Sequence, residues 1–312
     1  MDNLSGEGRS LWGEAWQALR RQKMTMICLW IVAIYTAVAF YGEGVYWWHK
    51  VKDTTPAYKV TNLDARYVPP LGFRDSSDPK YDNLSAFQYP LGSDGLGRDV
   101  LQRAIQGTRI AYEVGIVSSL IAIPIGVILG CLAGYFGGRV DDFIVWLYST
   151  FASIPGLLFI LAIAMVVGKG ILGVFLGIGL TMWVGLCRLI RGEVIKHKQR
   201  PYVTAARSLG ISHAGVIFRH ILPNVFHIVI VTFTICFPAA INTEVILSFL
   251  GIGVQGEPSW GEMINSARLR LWQGIWWEMG AATTAIFFIV LAFNLLGDAL
   301  RDALDPRLRS GK

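Results

Sequence analysis

Charge is scarce in this sequence: only 16% of its 312 residues are Asp, Glu, Lys or Arg, whereas 53% are apolar. An average soluble domain carries about 25% charged residues. The low charge and a mean hydropathy of +0.46 therefore indicate a protein whose main solvent is lipid. The formal net charge of +6 is small for this length and is concentrated between apolar runs, which favours a membrane protein over one that binds nucleic acid.

Cysteine is also scarce, and its placement predicts neither disulfides nor metal binding. The four cysteines are Cys28, Cys131, Cys187 and Cys236. Each lies inside an apolar run, and the sequence has no CxxC motif and no Cys/His cluster. We interpret them as small core hydrophobes.

The motifs of nucleotide-hydrolysing and membrane-embedded enzymes are missing. There is no GxxxxGK[ST] phosphate loop, no HExxH and no GxSxG. The glycine-rich stretch at 91–99 could hold a phosphate, but without that motif we interpret it as a structural elbow, with Asp99 capping the helix that follows. We therefore expect no catalytic residue, no metal site and no cofactor on this chain.

Long apolar runs are abundant. Six are long enough, at about 17–25 residues, to cross roughly 30 Å of hydrocarbon as helices. They lie near 24–41, 110–136, 143–167, 171–187, 221–250 and 277–297. The first could be a secretory signal, but a long amphipathic lead with Trp12, Trp16 and Leu19 on one side favours an uncleaved anchor. The sequence predicts an all-α membrane protein of six transmembrane helices.

Basic residues predict the orientation of these spans. If the N-terminus is cytoplasmic, the inside connections hold sixteen Lys and Arg residues and the short outside connections hold Lys169, Arg268 and Arg270. Both termini are then cytoplasmic. This divides the chain into a cytoplasmic amphipathic segment (1–23), a first span (24–41), an irregular extracytoplasmic insertion (42–109), a core of five spans (110–300) and a cytoplasmic tail (301–312).

Proline and glycine within the spans suggest a transport pathway. Pro124, Pro155 and Pro238 each remove a helix hydrogen bond and can mark hinges or broken helices. Glycines thin two of the spans and permit close helix packing. They are Gly126, Gly130, Gly134, Gly173, Gly177 and Gly179.

Glu244 is the one carboxylate well inside a span. Charge at this depth costs a few kcal/mol, so Glu244 should face protein or water rather than lipid. Asn242 and Pro238 lie close to it and add polarity and a helix break. Two interpretations stay open: a contact with substrate or a gate, and a buried carboxyl group that only fastens helices together.

A polar segment at 201–223 interrupts the apolar core. Pro201 suits a first helical turn, Gly210 ends that helix, Ser212 can cap a second short helix, and Pro223 begins the fifth span. In this arrangement apolar residues rest on the bundle and polar ones project outward. The apolar set is Val203, Leu209, Ile211, Val216, Ile217 and Ile221, and the polar set is Arg207, His213, Arg219 and His220. An amphipathic loop on lipid headgroups and a docking surface for a soluble partner are both compatible with this pattern.

This segment resembles the EAA loop of the permease subunits of bacterial ATP-binding-cassette importers. The matching positions are Ala205, Ala206, Gly210, Leu222 and Pro223, whereas Thr204 stands where the family has Glu. Four further stretches resemble the C-type permease of oligopeptide, dipeptide and nickel importers. They are LGSDGLGRDVLQR, LSFLGIGVQ, PSWGEMI and AFNLLGDALRDALDPRLR.

The resemblance implies a type I ABC importer permease fold in the bacterial inner membrane. It implies three kinds of protein partner: a second homologous permease, two ATPase subunits that bind ATP and Mg²⁺, and an extracytoplasmic solute-binding protein. Residues 201–223 would couple to an ATPase, through Thr204, Ala205, Ala206, Arg207, Leu209, Gly210, Ile211, Arg219, Leu222 and Pro223. Glu244, Asn242 and Pro238 are the candidates for the translocation path. A stand-alone carrier or channel and a membrane enzyme are the alternatives.

Overall fold

The computed structural model describes residues 11–74 and 87–304 of the chain, and these residues are almost entirely helical. Ten helices are numbered in chain order. They are α1 (Leu11–Arg21), α2 (Lys23–Lys52), α3 (Val100–Phe136), α4 (Gly138–Ser153), α5 (Gly156–Val167), α6 (Ile171–Lys198), α7 (Pro201–Ser208), α8 (His213–Phe249), α9 (Trp260–Ala267) and α10 (Trp277–Leu304). Within the described residues, 3₁₀ turns occupy Ala57–Lys59, Leu63–Ala65 and Arg268–Gln273.

Five of these helices are long and apolar enough to cross a membrane by themselves, namely α2, α3, α6, α8 and α10. A sixth crossing requires α4 and α5 together, and these two helices meet at an angle of 90°. The predicted span at 143–167 is therefore broken. The break falls at Ile154 and Pro155, where Ile154 adopts an extended backbone (φ −89°, ψ 132°) because a residue before proline is disfavoured in the helical region.

The helices flanking the insertion are longer than their apolar runs. Helix α2 continues to Lys52 and α3 begins at Val100, so the described non-helical part is shorter than 42–109. Asp99 caps α3 by accepting hydrogen bonds from the amides of Leu101 and Gln102, as predicted. Gly92 (φ +85°) and Gly97 (φ +71°) form the predicted tight turns.

Helices α3 and α6 approach each other closely. A Cβ atom added at Gly126, Gly130 or Gly134 would lie within 2.9 Å of a carbonyl oxygen of α6. These three glycines are four residues apart and share one face of α3. The prediction that glycines bring the helices together is confirmed for this pair.

Pro124 and Pro238 do not break their helices. Helix α3 continues through Pro124, and α8 continues through Pro238. The expectation of three breaks therefore holds only at Pro155, because packing against neighbouring helices maintains the other two.

The molecule has two polar ends. Helix α3 spans 37 residues, about 55 Å at 1.5 Å per residue, and separates them. The insertion end holds the described insertion residues and the 250–276 segment, while the loop end holds residues 199–221. Leu19 of α1 is buried whereas Trp16 is half exposed, and the side chain of Trp12 lies outside the described residues.

Candidate functional site

The 201–223 segment folds at the loop end as a short helix, a tight turn and the start of a long helix. Pro201 occupies the first turn of α7, and Gly210 adopts φ +74°, a conformation that favours glycine. Ser212 then caps α8 by accepting a hydrogen bond from the amide of Gly215. The predicted helix, turn and caps are confirmed.

The second helix differs from the prediction. It is not a separate short helix, because residues 213–249 run without interruption into the fifth span. Pro223 lies inside this continuous helix rather than at its beginning. A π-helical stretch at Val216–Ile221 lies just before Pro223 in this helix and contains Arg219 and His220. Segments of π-helix occur frequently at functional sites.

Burial of the apolar residues along the segment follows the predicted pattern with one exception. Val203, Ala206, Val216, Ile217 and Ile221 are buried against the ends of α3 and α6. Leu209, which was expected to rest on the bundle, is instead 81% exposed, because α7 ends at Ser208 and the turn at Gly210 carries Leu209 off the buried face.

The polar residues also divide. Arg207 and Arg219 are exposed as predicted, whereas His220 is half-buried, and its Nε2 is buried without a hydrogen-bond partner in the described structure. His213 is exposed, but its Nδ1 lies 2.8 Å from the hydroxyl of Tyr135. The guanidinium of Arg207 lies 4.8 Å from the centre of the same Tyr135 ring. Tyr135 therefore attaches both sides of the turn to the end of α3.

The remaining positions of the predicted coupling set are accessible to different degrees. Thr204 and Ala205 are exposed, Ile211 and Leu222 are half-buried, and Pro223 is exposed. The hydroxyl of Ser208 donates to the carbonyl of Thr204 within α7. No Cβ of Gly210 would meet an atom within 4 Å, so the surface beside the turn is open.

Glu244 is enclosed by the chain itself. It is 2% exposed, and its Oε1 accepts a hydrogen bond of 2.6 Å from the hydroxyl of Ser248. The hydroxyl of Ser259 in turn lies 3.3 Å from that of Ser248. Glu244 thus joins the end of α8 to the segment that precedes α9.

Asn242 has the opposite environment. It is exposed on the lone chain, while Pro238 is buried. Asn242 shares an exposed stripe of α8 with Ile235 and Ile246, at spacings of seven and four residues. A polar side chain exposed at this depth is costly in lipid, so this stripe fits contact with water or another protein.

Two charge clusters at the insertion end were not found from the sequence. In the first, Arg103 is 1% exposed and binds the carboxylates of Asp94 and Glu262, with Glu278 at 3.7 Å. Burial alone raises the pKa of Asp94, but Arg103 and hydrogen bonds from the amides of Arg98 and Leu96 outweigh it and leave that pKa below its usual value. The sequence signal was Arg103 within the LGSDGLGRDVLQR stretch.

The second cluster is centred on Arg109, six residues or about 1.7 helical turns further along α3. Its guanidinium lies 3.0 Å from Glu113, 3.2 Å from Glu257 and 3.5 Å from Glu43. Glu257 also accepts a 2.7 Å hydrogen bond from Lys59. Apart from Glu113, the members of this cluster come from α2, the insertion and the 250–258 segment. Because these segments are far apart in the sequence, local patterns do not predict that they meet.

In the described residues no group of three or more His, Cys, Asp and Glu side chains is arranged to hold a metal ion. All four cysteines are buried and unpaired. The thiols therefore fit the role of core residues predicted from their apolar surroundings.

Comparison with known proteins identifies the family. Residues 126–310 match the model of the binding-protein-dependent transport system inner membrane component, and residues 10–70 match the N-terminal transmembrane domain of oligopeptide transport permease C. The chain is 34% identical to the dipeptide transport system permease protein DppC of Bacillus subtilis over 309 residues, covering 99% of this chain and 89% of that protein.

Other relatives also align over nearly their whole length. The oligopeptide transport system permease protein OppC of Bacillus subtilis is 31% identical, with 99% of this chain and 93% of that protein aligned. The glutathione transport system permease protein GsiD of Pectobacterium atrosepticum is 35% identical, with 97% and 93% aligned.

A solved structure shows the fold. The MetNI methionine ABC transporter, in an inward-facing conformation, matches with a TM-score of 0.52 and 15% identity over 66% of this chain and 96% of its own. The helical core is thus that of an ABC importer permease. The chain belongs to the binding-protein-dependent transport system inner membrane components and is a permease subunit of an ABC importer.

Proposed function

We propose that this permease forms half of the translocation path of an importer for short peptides or closely related solutes, glutathione among them. Relatives named for dipeptides, oligopeptides and glutathione align over nearly the whole chain. The solute would be delivered by an extracytoplasmic binding protein, and ATP and Mg²⁺ would bind to two separate ATPase subunits. The chain itself would hydrolyse nothing.

The loop end is cytoplasmic in this proposal, and so are both termini. Basic residues are concentrated at this end, as is expected for the inner face of a membrane. Arg188, Arg191, Lys196, Lys198 and Arg200 lie in or just after the last turns of α6. The insertion end then faces outward, where the binding protein would dock.

Residues 201–223 would be the coupling element, and the exposure of Leu209 is the observation that carries this assignment. Leu209 is 81% exposed beside an open surface at Gly210, in a segment whose opposite face is buried on the bundle, so the cleft of a protein partner can enclose its side chain. Arg207 and Arg219 would contact the rim of the cleft. Thr204, which replaces the family's Glu, offers a hydroxyl instead of a carboxylate there.

A second homologous permease would cover the exposed stripe of α8. Asn242 would then lie at the path between the two permeases, one turn along α8 from Pro238, while Glu244 would hold α8 to the segment before α9 on the side away from the path. In this proposal the contact with the path is Asn242, two residues before the carboxylate of Glu244 that the sequence indicates.

Substitution of Gly210 tests the coupling role. Gly210→Arg should lower uptake by at least about tenfold, which corresponds to a free-energy change of about 1.4 kcal/mol. The reason is that a long cationic side chain would enter the cleft of the partner. Uptake and solute-stimulated ATP hydrolysis would be measured in proteoliposomes holding the complete importer, after membrane insertion has been verified.

Two matched variants separate docking from backbone strain. Gly210→Asn tolerates a left-handed backbone and should retain most uptake. Gly192→Arg places the same cation on α6, where a Cβ also meets nothing within 4 Å, and should retain coupling. Normal ATPase stimulation in Gly210→Arg would refute the coupling assignment.

A further inference from the structure

A polar cavity of about 300 Å³ lies at the insertion end, far from the 201–223 segment. Its walls come from the insertion, the start of α3, the end of α8, the 251–258 segment and α9. The lining residues used below are Lys59, Arg98, Arg103, Glu257, Glu262 and Asn265. Neither the family comparisons nor the sequence motifs assign a role to this cavity.

The cavity presents charges of both signs. Lys59, Arg98 and Arg103 are cationic, while Glu257 and Glu262 are anionic. A simple anion would meet two carboxylates here, and a simple cation would meet three basic groups, so either ligand alone is disfavoured. A small molecule that carries both an ammonium group and a carboxylate matches the walls.

Arg103 leaves hydrogen-bonding capacity unused at this site. Its side chain is 1% exposed, and its two terminal nitrogens bind Asp94 and Glu262. Its Nε is buried and has no partner among the described residues. A buried donor without a partner costs about 1–3 kcal/mol, which a ligand or a rearrangement around a ligand can recover.

The carboxylates are within reach of a ligand. The side chain of Glu262 is 35% exposed and that of Glu257 is 20% exposed. Both already form ion pairs, so an incoming ammonium group would share them with Arg103 and Lys59. Ser248 also lines the cavity, and its hydroxyl donates to Glu244. The buried carboxyl group thereby orients one wall residue of the cavity.

We propose that this cavity receives the charged ends of a short zwitterionic peptide as the peptide leaves the binding protein. The inference rests on the proposed function, which makes the insertion end the entry side. The α-ammonium group would lie by Glu257, which pairs with Lys59, and the α-carboxylate by Arg98, which belongs to the other charge cluster. Asn265 would offer an amide to the peptide backbone.

Cysteine protection tests the proposal in the complete importer with its binding protein. All four native cysteines are buried, so Asn265→Cys introduces an accessible thiol against a low background. Trp272→Cys is the matched control, because Trp272 is 94% exposed at the same end but outside the cavity. Co-purification of the ATPase subunits would establish that each variant assembles.

The rate of labelling by a thiosulfonate reagent would be measured in the complete importer with trialanine present. The reference is the same importer with its binding protein unliganded. Trialanine at ten times its Kd for the complete importer should slow labelling of Asn265→Cys about tenfold. The fraction of importers with an empty cavity is then 1/(1 + [L]/Kd). Labelling of Trp272→Cys should not change.

Equal slowing at both positions would indicate shielding by the docked binding protein and would overturn the cavity assignment. Unchanged labelling of Asn265→Cys, while the wild-type importer takes up trialanine, would also overturn it and leave the proposed function intact. Failure of the wild-type importer to take up alanine peptides of two to five residues would overturn the proposed function, and this inference with it.

Discussion

Glu244 and Asn242 are two residues apart in α8, yet their surroundings differ. Glu244 is enclosed and hydrogen-bonded to Ser248, whereas Asn242 is exposed on the lone chain. The sequence marks Glu244 because ionisable groups within spans are often functional. The contacts favour fastening of α8 to the segment before α9, and they move the path candidate to Asn242.

Substitutions at these two positions should separate stability from transport. Glu244→Leu removes the acceptor of Ser248 and should destabilise the importer by about 1–3 kcal/mol, whereas Glu244→Gln keeps an acceptor and should leave substrate range unchanged. Asn242→Leu should alter uptake with little change in stability. Thermal unfolding and uptake kinetics would be measured together. An altered substrate range in Glu244→Gln at normal stability would place Glu244 in the path.

At the scale of elements, the packing of α3 on α6 organises the core. Gly126, Gly130 and Gly134 lie against carbonyl groups of α6, so the two backbones approach closely. In lipid, where hydrophobic association is weak, such packing is a main source of helix association. The pair also carries Tyr135, which contacts His213 and Arg207 of the 201–223 segment.

Gly130→Ala should destabilise the permease by about 1–3 kcal/mol, the usual cost of overpacking. Its new Cβ would lie 2.8 Å from the carbonyl oxygen of Cys187, and the helices would have to separate. Gly185→Ala on α6 is the control, because a Cβ there meets nothing within 4 Å. Thermal unfolding in detergent would compare them, and equal melting temperatures would contradict the packing role.

At the scale of the whole molecule, two arginines of α3 connect distant segments at the insertion end. Arg103 joins the segment before α3 to α9 and α10, and Arg109 joins α2 to the 250–258 segment. Buried arginines with several carboxylate partners hold a specific arrangement, because removal of one partner leaves the others uncompensated.

Arg103→Gln should therefore destabilise the importer by about 3–5 kcal/mol. It would leave Glu278 without its cation and Asp94 with Arg98 alone, and both carboxylates are 2% exposed. Arg98→Gln removes a more accessible partner of the same Asp94 and should cost about 1 kcal/mol or less. Unfolding by heat would be followed for both, and a smaller loss in Arg103→Gln than in Arg98→Gln would contradict this account.

Local patterns were sufficient for the helical class, the apolar runs and the turn at Gly210. Gly210 requires a left-handed backbone, Ser212 and Asp99 supply capping oxygens, and apolar length determines which segments can span lipid. These properties depend on residues within a few positions of one another. The family motifs also indicate the class of protein, because several of them occur in order along the chain.

Only the tertiary structure decided which side of each helix is covered. Tertiary packing buries Glu244 and leaves Asn242 and Leu209 exposed. It also brings Lys59, Arg103 and Glu257 together around one cavity, from segments up to 198 residues apart. The continuity of α8 through Pro223 also depends on packing, which outweighs a local preference for a helix start. The sequence by itself determined what each segment can form, and tertiary packing determined which side chains meet, because burial and ion pairing depend on neighbours in space.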